Sequence, residues 1–108
     1  METDAWLARV RHDLVKRLLW PARDRRDVGG APAPGELVAR LVDDEGAPIA
    51  APALWATFKA EGPGGAAADA FEAELGTALA AAAAGDVDGV LALEPAFDRM
   101  ARALKGGR

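Results

Sequence analysis

The first stretch of the chain, residues 4–20, carries hydrophobic residues at helical spacing. They lie three, four and four residues apart, which places them along one side of a helix. The members of this stripe are Leu7, Val10, Leu14 and Leu18. The opposite, polar side is predicted to consist of Arg9, His12, Asp13, Lys16 and Arg17. Either Thr3 or Asp4 can cap the start of the helix with its side-chain oxygen.

The helical pattern is interrupted at Pro21. A residue that precedes proline avoids the α conformation, so the first helix is predicted to end or kink at Trp20. Proline suits the first turn of a helix, which predicts a second short helix from Pro21 to Asp27. Glycines 29 and 30 would close that helix.

The second half of the chain predicts three further helical stretches. One begins at Pro52 and ends at Gly62, and the strongest spans residues 66–84, where alanine, the best helix former, dominates. Gly85 is predicted to stop that helix and Asp86 to cap the next. The last stretch runs to about residue 105 and should be divided by Pro95.

Residues 37–51 have two interpretations. Leu37, Val38, Leu41 and Val42 form a helical stripe that Gly46 and Pro48 would terminate, and this helix is the favoured prediction. The alternative is a β-hairpin of strands 37–42 and 47–51 joined by a turn at residues 43–46. Pro48 and Pro52 disfavour the second strand, because proline cannot donate to a sheet.

These elements predict an all-α fold, a small bundle of four to six short helices. The alternative is an α+β fold with the hairpin at 37–51. We expect one domain over residues 1–108, with glycine- and proline-rich linkers at 29–35 and 62–65. The core should be thin, because 27 residues are alanine and only three are phenylalanine.

The amino-acid composition excludes most of the common catalytic mechanisms. The chain has no cysteine, serine, asparagine, glutamine or tyrosine, and its hydroxyl groups belong to Thr3, Thr57 and Thr77. A serine triad and thiol chemistry are excluded, and a lone histidine cannot build a histidine-rich metal site. The turn at Asp86–Gly89 has two of the carboxylates of a calcium loop but lacks its first and last ligands. We therefore predict no metal site and no cofactor.

Basic residues concentrate near the N-terminus. Residues 1–28 carry seven basic and five acidic side chains, a sum of +2, although the whole chain has a net charge of −4. Arginine binds phosphate well, so Arg9, Lys16 and Arg17 are candidate phosphate contacts. Residues 36–61 also match the outline of a helix-turn-helix, although Lys59 is the only basic residue of its second helix.

A second candidate site is an interface at the end of the first helix. Tryptophan and arginine are the residues that most often anchor protein interfaces. Trp20 lies beside Arg23, Arg25 and Arg26 in the sequence, and these four residues are the predicted interface.

We expect a non-catalytic adaptor or accessory protein that acts through helix-mediated protein–protein contacts. Its partner would be another protein or a second copy of the chain in a homodimer, which would add burial to a thin core. The alternative is a helix-turn-helix-like regulator that binds nucleic acid through the N-terminal helix and residues 36–61. The longest strongly apolar run is too short to span a bilayer, and the N-terminus lacks a signal-peptide pattern, so we expect a cytoplasmic protein without membrane contact.

Overall fold

The protein folds as a small all-α bundle, as the hydrophobic spacing predicts. The computed structural model describes residues 2–30, 32–43 and 45–106. Its helices are α1 (Thr3–Leu14), α2 (Trp20–Val28), α3 (Ala51–Glu61), α4 (Ala66–Ala84), α5 (Val87–Leu91) and α6 (Leu93–Gly106). A π-helical turn, Val15–Leu19, joins α1 to α2, and a single 3₁₀ turn spans Val38–Arg40. No β-strand occurs in the described ranges.

The junction of α1 and α2 differs from the prediction. Trp20 keeps helical angles (φ −62°, ψ −48°), so the helix does not end there. The irregularity lies one turn earlier, where the Trp20 amide donates to the carbonyl of Val15 in the wide π pattern. Because Pro21 has no amide proton and its ring crowds the preceding turn, the widened turn gives the ring room without breaking the helix.

Most predicted helix ends are confirmed. Gly29 and Gly85 adopt left-handed angles directly after α2 and α4, and the Asp86 side chain accepts a hydrogen bond from the Gly89 amide at 3.1 Å. The last stretch divides between α5 and α6, with Pro95 in the first turn of α6, where its missing amide proton costs nothing. The predicted cap of α1 is wrong, because Glu2 holds the cap position without a side-chain bond.

The favoured helix over residues 37–42 is also wrong, and the hairpin alternative is right only in its turn. The chain makes the 3₁₀ turn and then reverses, with one isolated antiparallel bridge between Val42 and Pro48. Asp43 holds the reversal, since its Oδ1 accepts hydrogen bonds from the amides of Glu45 (2.9 Å) and Ala47 (2.8 Å). Asp44, the remaining residue of the predicted turn, lies outside the described residues.

Five aromatic rings form the centre of the core. Trp55 contacts Trp6, Phe58 and Phe71, with ring centroids 5.4 to 6.4 Å apart, and Phe71 meets Phe97 edge-on at 5.8 Å. Trp6 fixes α1 against α3, because its indole Nε1 donates to the carbonyl of Phe58 at 2.8 Å. The aromatic cluster therefore links α1, α3, α4 and α6.

The segment predicted as a linker at 29–35 packs against the end of α4. The Gly35 amide donates to the carbonyl of Ala83 at 2.9 Å, and Pro32 is buried. A Cβ built on Gly85 would lie 2.7 Å from the Pro32 carbonyl oxygen. Gly85 is therefore required both by its left-handed angle (φ +78°) and by the close approach of this segment.

One glycine in the middle of α4 has no such requirement. Gly76 is exposed, and a Cβ there would meet no atom within 4 Å. Replacing Gly76 by alanine should stabilise the protein by up to about 1 kcal/mol, because glycine loses more backbone entropy in a helix. Urea unfolding followed by circular dichroism would measure the gain. A loss of stability would contradict the described environment of Gly76.

Candidate functional site

The surface of α2 carries the exposed hydrophobic side chains. Trp20 is 55% exposed and Val28 is 75% exposed, and they are the large hydrophobic residues left exposed among those described. Helical spacing places them on one side of the helix with the exposed charges Lys16, Asp24 and Asp27. We call these five residues the Trp20 face.

Two of the arginines predicted to share an interface with Trp20 form ion pairs with other parts of the bundle. The Arg23 guanidinium pairs with the carboxylate of Glu94 on α6, and Arg25 Nε lies 3.1 Å from a carboxylate oxygen of Glu36. These ion pairs attach α2 to the rest of the bundle. Arg26 is exposed and lines an open cleft of about 350 Å³ against α6. Trp20 itself is exposed, as an interface anchor must be.

The three candidate phosphate contacts do not form one patch. Arg9 pairs with Glu61 at the end of α3, and Lys16 is exposed on the Trp20 face. The prediction that Arg17 belongs to the polar side of the first helix is wrong, since only 9% of the residue is exposed. Two helical turns, seven residues, separate Arg17 from buried Val10, so helical spacing already places Arg17 at the edge of the hydrophobic stripe.

The helix-turn-helix outline at residues 36–61 is also wrong. The first of the two required helices is absent from the described residues of that segment, which hold the 3₁₀ turn and the Asp43 reversal before α3 begins. Lys59, the basic residue of α3, faces α4, where its Nζ lies 3.1 Å from Glu72 and 3.9 Å from Asp69. It is therefore not presented as part of a recognition helix.

The contact between Lys59 and Glu72 makes the stability of the protein depend on pH in the alkaline range. The hydrogen bond to Glu72, the charge of Glu72 and then that of Asp69 raise the pKa of Lys59 above its ordinary 10.5, against partial desolvation. A basic group whose pKa is raised by folding stabilises the native state at pH values below its pKa in the unfolded chain. This stabilisation disappears as the pH rises through the pKa of the folded state.

Glu72→Gln should therefore lower the thermal midpoint slightly at neutral pH, and this difference should vanish at a pH above the raised pKa of Lys59. Glu74→Gln is the matched control, because Glu74 is an exposed glutamate of the same helix whose partner, 3.9 Å away, is an arginine, Arg99, and not a lysine. Thermal scans of both variants and the wild type across alkaline pH would measure this. A Glu72→Gln difference that persists at the highest pH would contradict it.

Two open grooves flank α4. The groove between α3 and α4 holds about 410 Å³ and is lined mainly by Pro52, Trp55, Leu75 and Leu79. The groove between α4 and α6 holds about 270 Å³ over Phe71 and Met100, with Glu74 and Arg99 at its edges. The charged groups of the second groove, Glu74 and Arg99, lie 3.9 Å apart and pair with one another.

The described residues include no group of three or more histidine or acidic side chains placed to hold a metal ion. Within the same residues, no helix is long and apolar enough to cross a bilayer. No protein-family model matches the chain, and neither a curated protein nor a solved structure is significantly similar to it. The chemistry of the Trp20 face is therefore the main guide to function.

Proposed function

We propose that this chain acts by binding a protein partner, either another protein or a second copy of itself, through the Trp20 face and does not itself catalyse a reaction. The observation that supports this most is the exposure of Trp20 and Val28 on a single helix, while the other large hydrophobic residues described are at least partly buried. Tryptophan is the side chain that contributes most often to binding energy at interfaces. The charges around it would form the polar rim of such an interface.

The attachment of α2 to the bundle supports the same proposal. Arg23 pairs with Glu94 and Arg25 with Glu36, so two ion pairs from different sides of α2 attach it to the bundle. The π-turn keeps α2 continuous with α1, whose Trp6 is anchored in the core. A preorganised helix loses less conformational entropy on binding than a mobile segment does.

The hydrogen bonds and ion pairs that other polar side chains form within the protein also favour binding over catalysis. Two of the three threonine hydroxyls, those of Thr57 and Thr77, donate to carbonyls four residues earlier, at 3.0 and 3.2 Å. Arg9, Arg23 and Arg25 pair with glutamates, which reduces the positive charge that the N-terminal segment could offer to nucleic acid.

An affinity capture from lysate of the source organism tests the proposal. Tagged wild type, Trp20→Ala and Thr77→Ala would be compared, since Thr77 is an exposed residue on a different helix, α4. We expect a stoichiometric protein that is lost with Trp20→Ala and retained with Thr77→Ala. Nuclease-sensitive nucleic acid whose retention falls with salt, or a partner retained by Trp20→Ala, would contradict the proposal.

A further inference from the structure

We infer that the Trp20 face binds a second copy of this chain in an antiparallel arrangement. This inference rests on the proposed function and names its partner. The exposed charges of this face have opposite signs on the two sides of Trp20.

Among the exposed charged residues of this face, Lys16 precedes Trp20 and two aspartates follow it. Lys16 lies one turn before Trp20 and Asp24 one turn after, and both are exposed. The π-turn has more residues per turn than an α-helix, so the next exposed residue toward the N-terminus on this face is His12, while Asp13 is partly buried. Asp27 extends the acidic half by a further turn.

A two-fold interface pairs each residue with its counterpart across the axis. With the axis near Trp20, Lys16 of each copy faces Asp24 of the other, so one contact is made twice. Both tryptophans then lie at the centre of the interface, where water is excluded and aromatic anchors contribute most. A parallel arrangement would instead place Lys16 against Lys16 and Asp24 against Asp24, which is repulsive.

The overlap of the two helices is short, which limits the affinity. The helix ends at Val28, eight residues after Trp20, so with the axis near Trp20 the two helices overlap over residues 12–28, about 25 Å at 1.5 Å per residue. One exposed helix side from each copy buries less than the roughly 1,600 Å² of a standard stable interface. The pairing should therefore be reversible, and salt should weaken it, because its ion pairs lie near solvent.

Charge exchange at Lys16 and Asp24 gives a direct test. Lys16→Glu alone and Asp24→Lys alone should each weaken self-association, since each places like charges opposite one another in both contacts. Mixing the two variants should restore association as a heterodimer. In that heterodimer the introduced glutamate of one variant faces the introduced lysine of the other, and the unchanged Asp24 faces the unchanged Lys16. Sedimentation velocity on each variant and on the equimolar mixture would measure this, with circular dichroism and thermal midpoints to show that both variants fold.

Trp20→Ala should abolish the dimer without changing the fold, because Trp20 lies outside the core. The inference is overturned if the wild type stays monomeric up to millimolar concentration, or if the mixture associates no better than the separate variants. A monomeric wild type that still captures a different protein through Trp20 would overturn the second-copy inference and leave the proposed function standing. A dimer insensitive to Trp20→Ala would contradict the role of this face altogether.

Discussion

Replacing Phe71 by alanine is expected to cost about 3–5 kcal/mol and to leave the protein largely unfolded near physiological temperature. Phe71 is 2% exposed and lies between Trp55 and Phe97, with ring centroids 5.4 and 5.8 Å away. The substitution removes the ring that connects α3, α4 and α6. The chain has only three phenylalanines among 108 residues, so few other large side chains are available to fill the space that the Phe71 ring leaves.

Phe71→Leu is the matched control, because it keeps most of the volume and should cost less than about 1.5 kcal/mol. Thermal and urea unfolding of both variants would show the difference, and Phe71→Ala should lower the thermal midpoint by more than about 15 °C. If the alanine variant lost no more stability than the leucine variant, the aromatic cluster would not be the centre of the core.

Replacing Gly85 by alanine is expected to destabilise the protein by about 2–4 kcal/mol, for two separate reasons. Gly85 adopts a left-handed angle of +78°, which L-residues other than glycine rarely tolerate. The new Cβ would also lie 2.7 Å from the Pro32 carbonyl oxygen, so the segment packed on the end of α4 would have to move.

Gly29→Ala separates the two causes. Gly29 has nearly the same angle, +83°, but its Cβ would meet no atom within 4 Å, so this variant should lose only the conformational contribution of about 1–2 kcal/mol. Urea unfolding of the two variants would give the difference. Equal losses would show that Pro32 does not pack closely on Gly85.

The helices can be predicted where local chemistry and packing agree. The alanine-rich stretch between Gly65 and Gly85 gives α4 with its bounds as predicted, since strong propensity is limited by a glycine at each end. Asp86 is recognisable as a cap for a similar reason, because a short acidic side chain at the start of a helix satisfies a free amide.

The predicted helix at residues 37–42 is wrong because the same pattern of hydrophobic residues is compatible with two backbone conformations. Leu37 and Leu41 are 1% and 2% exposed, so the pattern correctly identifies buried positions. The 3₁₀ turn buries them equally well, and Asp43 offers the following amides its carboxylate in place of a helical carbonyl. The cluster of Asp43, Gly46 and Pro48 is the available signal for a reversal.

The sequence singles out Trp20 but not the residues that surround it. Trp20 is aromatic and follows the hydrophobic stripe, and the structure leaves it exposed. Its sequence neighbours Arg23 and Arg25 pair with Glu94 and Glu36 in other parts of the bundle. The charges beside Trp20 instead come from residues one turn away, and their register depends on a π-turn that the hydrophobic pattern does not show.

The most direct test of the Trp20 face is a dilution series followed by the indole N–H resonances of the three tryptophans in ¹⁵N-labelled wild-type protein. Trp6 and Trp55 are 1% and 5% exposed, so they serve as internal references for exposed Trp20. We expect the Trp20 indole resonance and the backbone amides near Lys16 and Asp24 to shift between micromolar and millimolar concentration, while the indole resonances of Trp6 and Trp55 stay fixed. A spectrum that does not change with concentration, or shifts confined to α4, would contradict it.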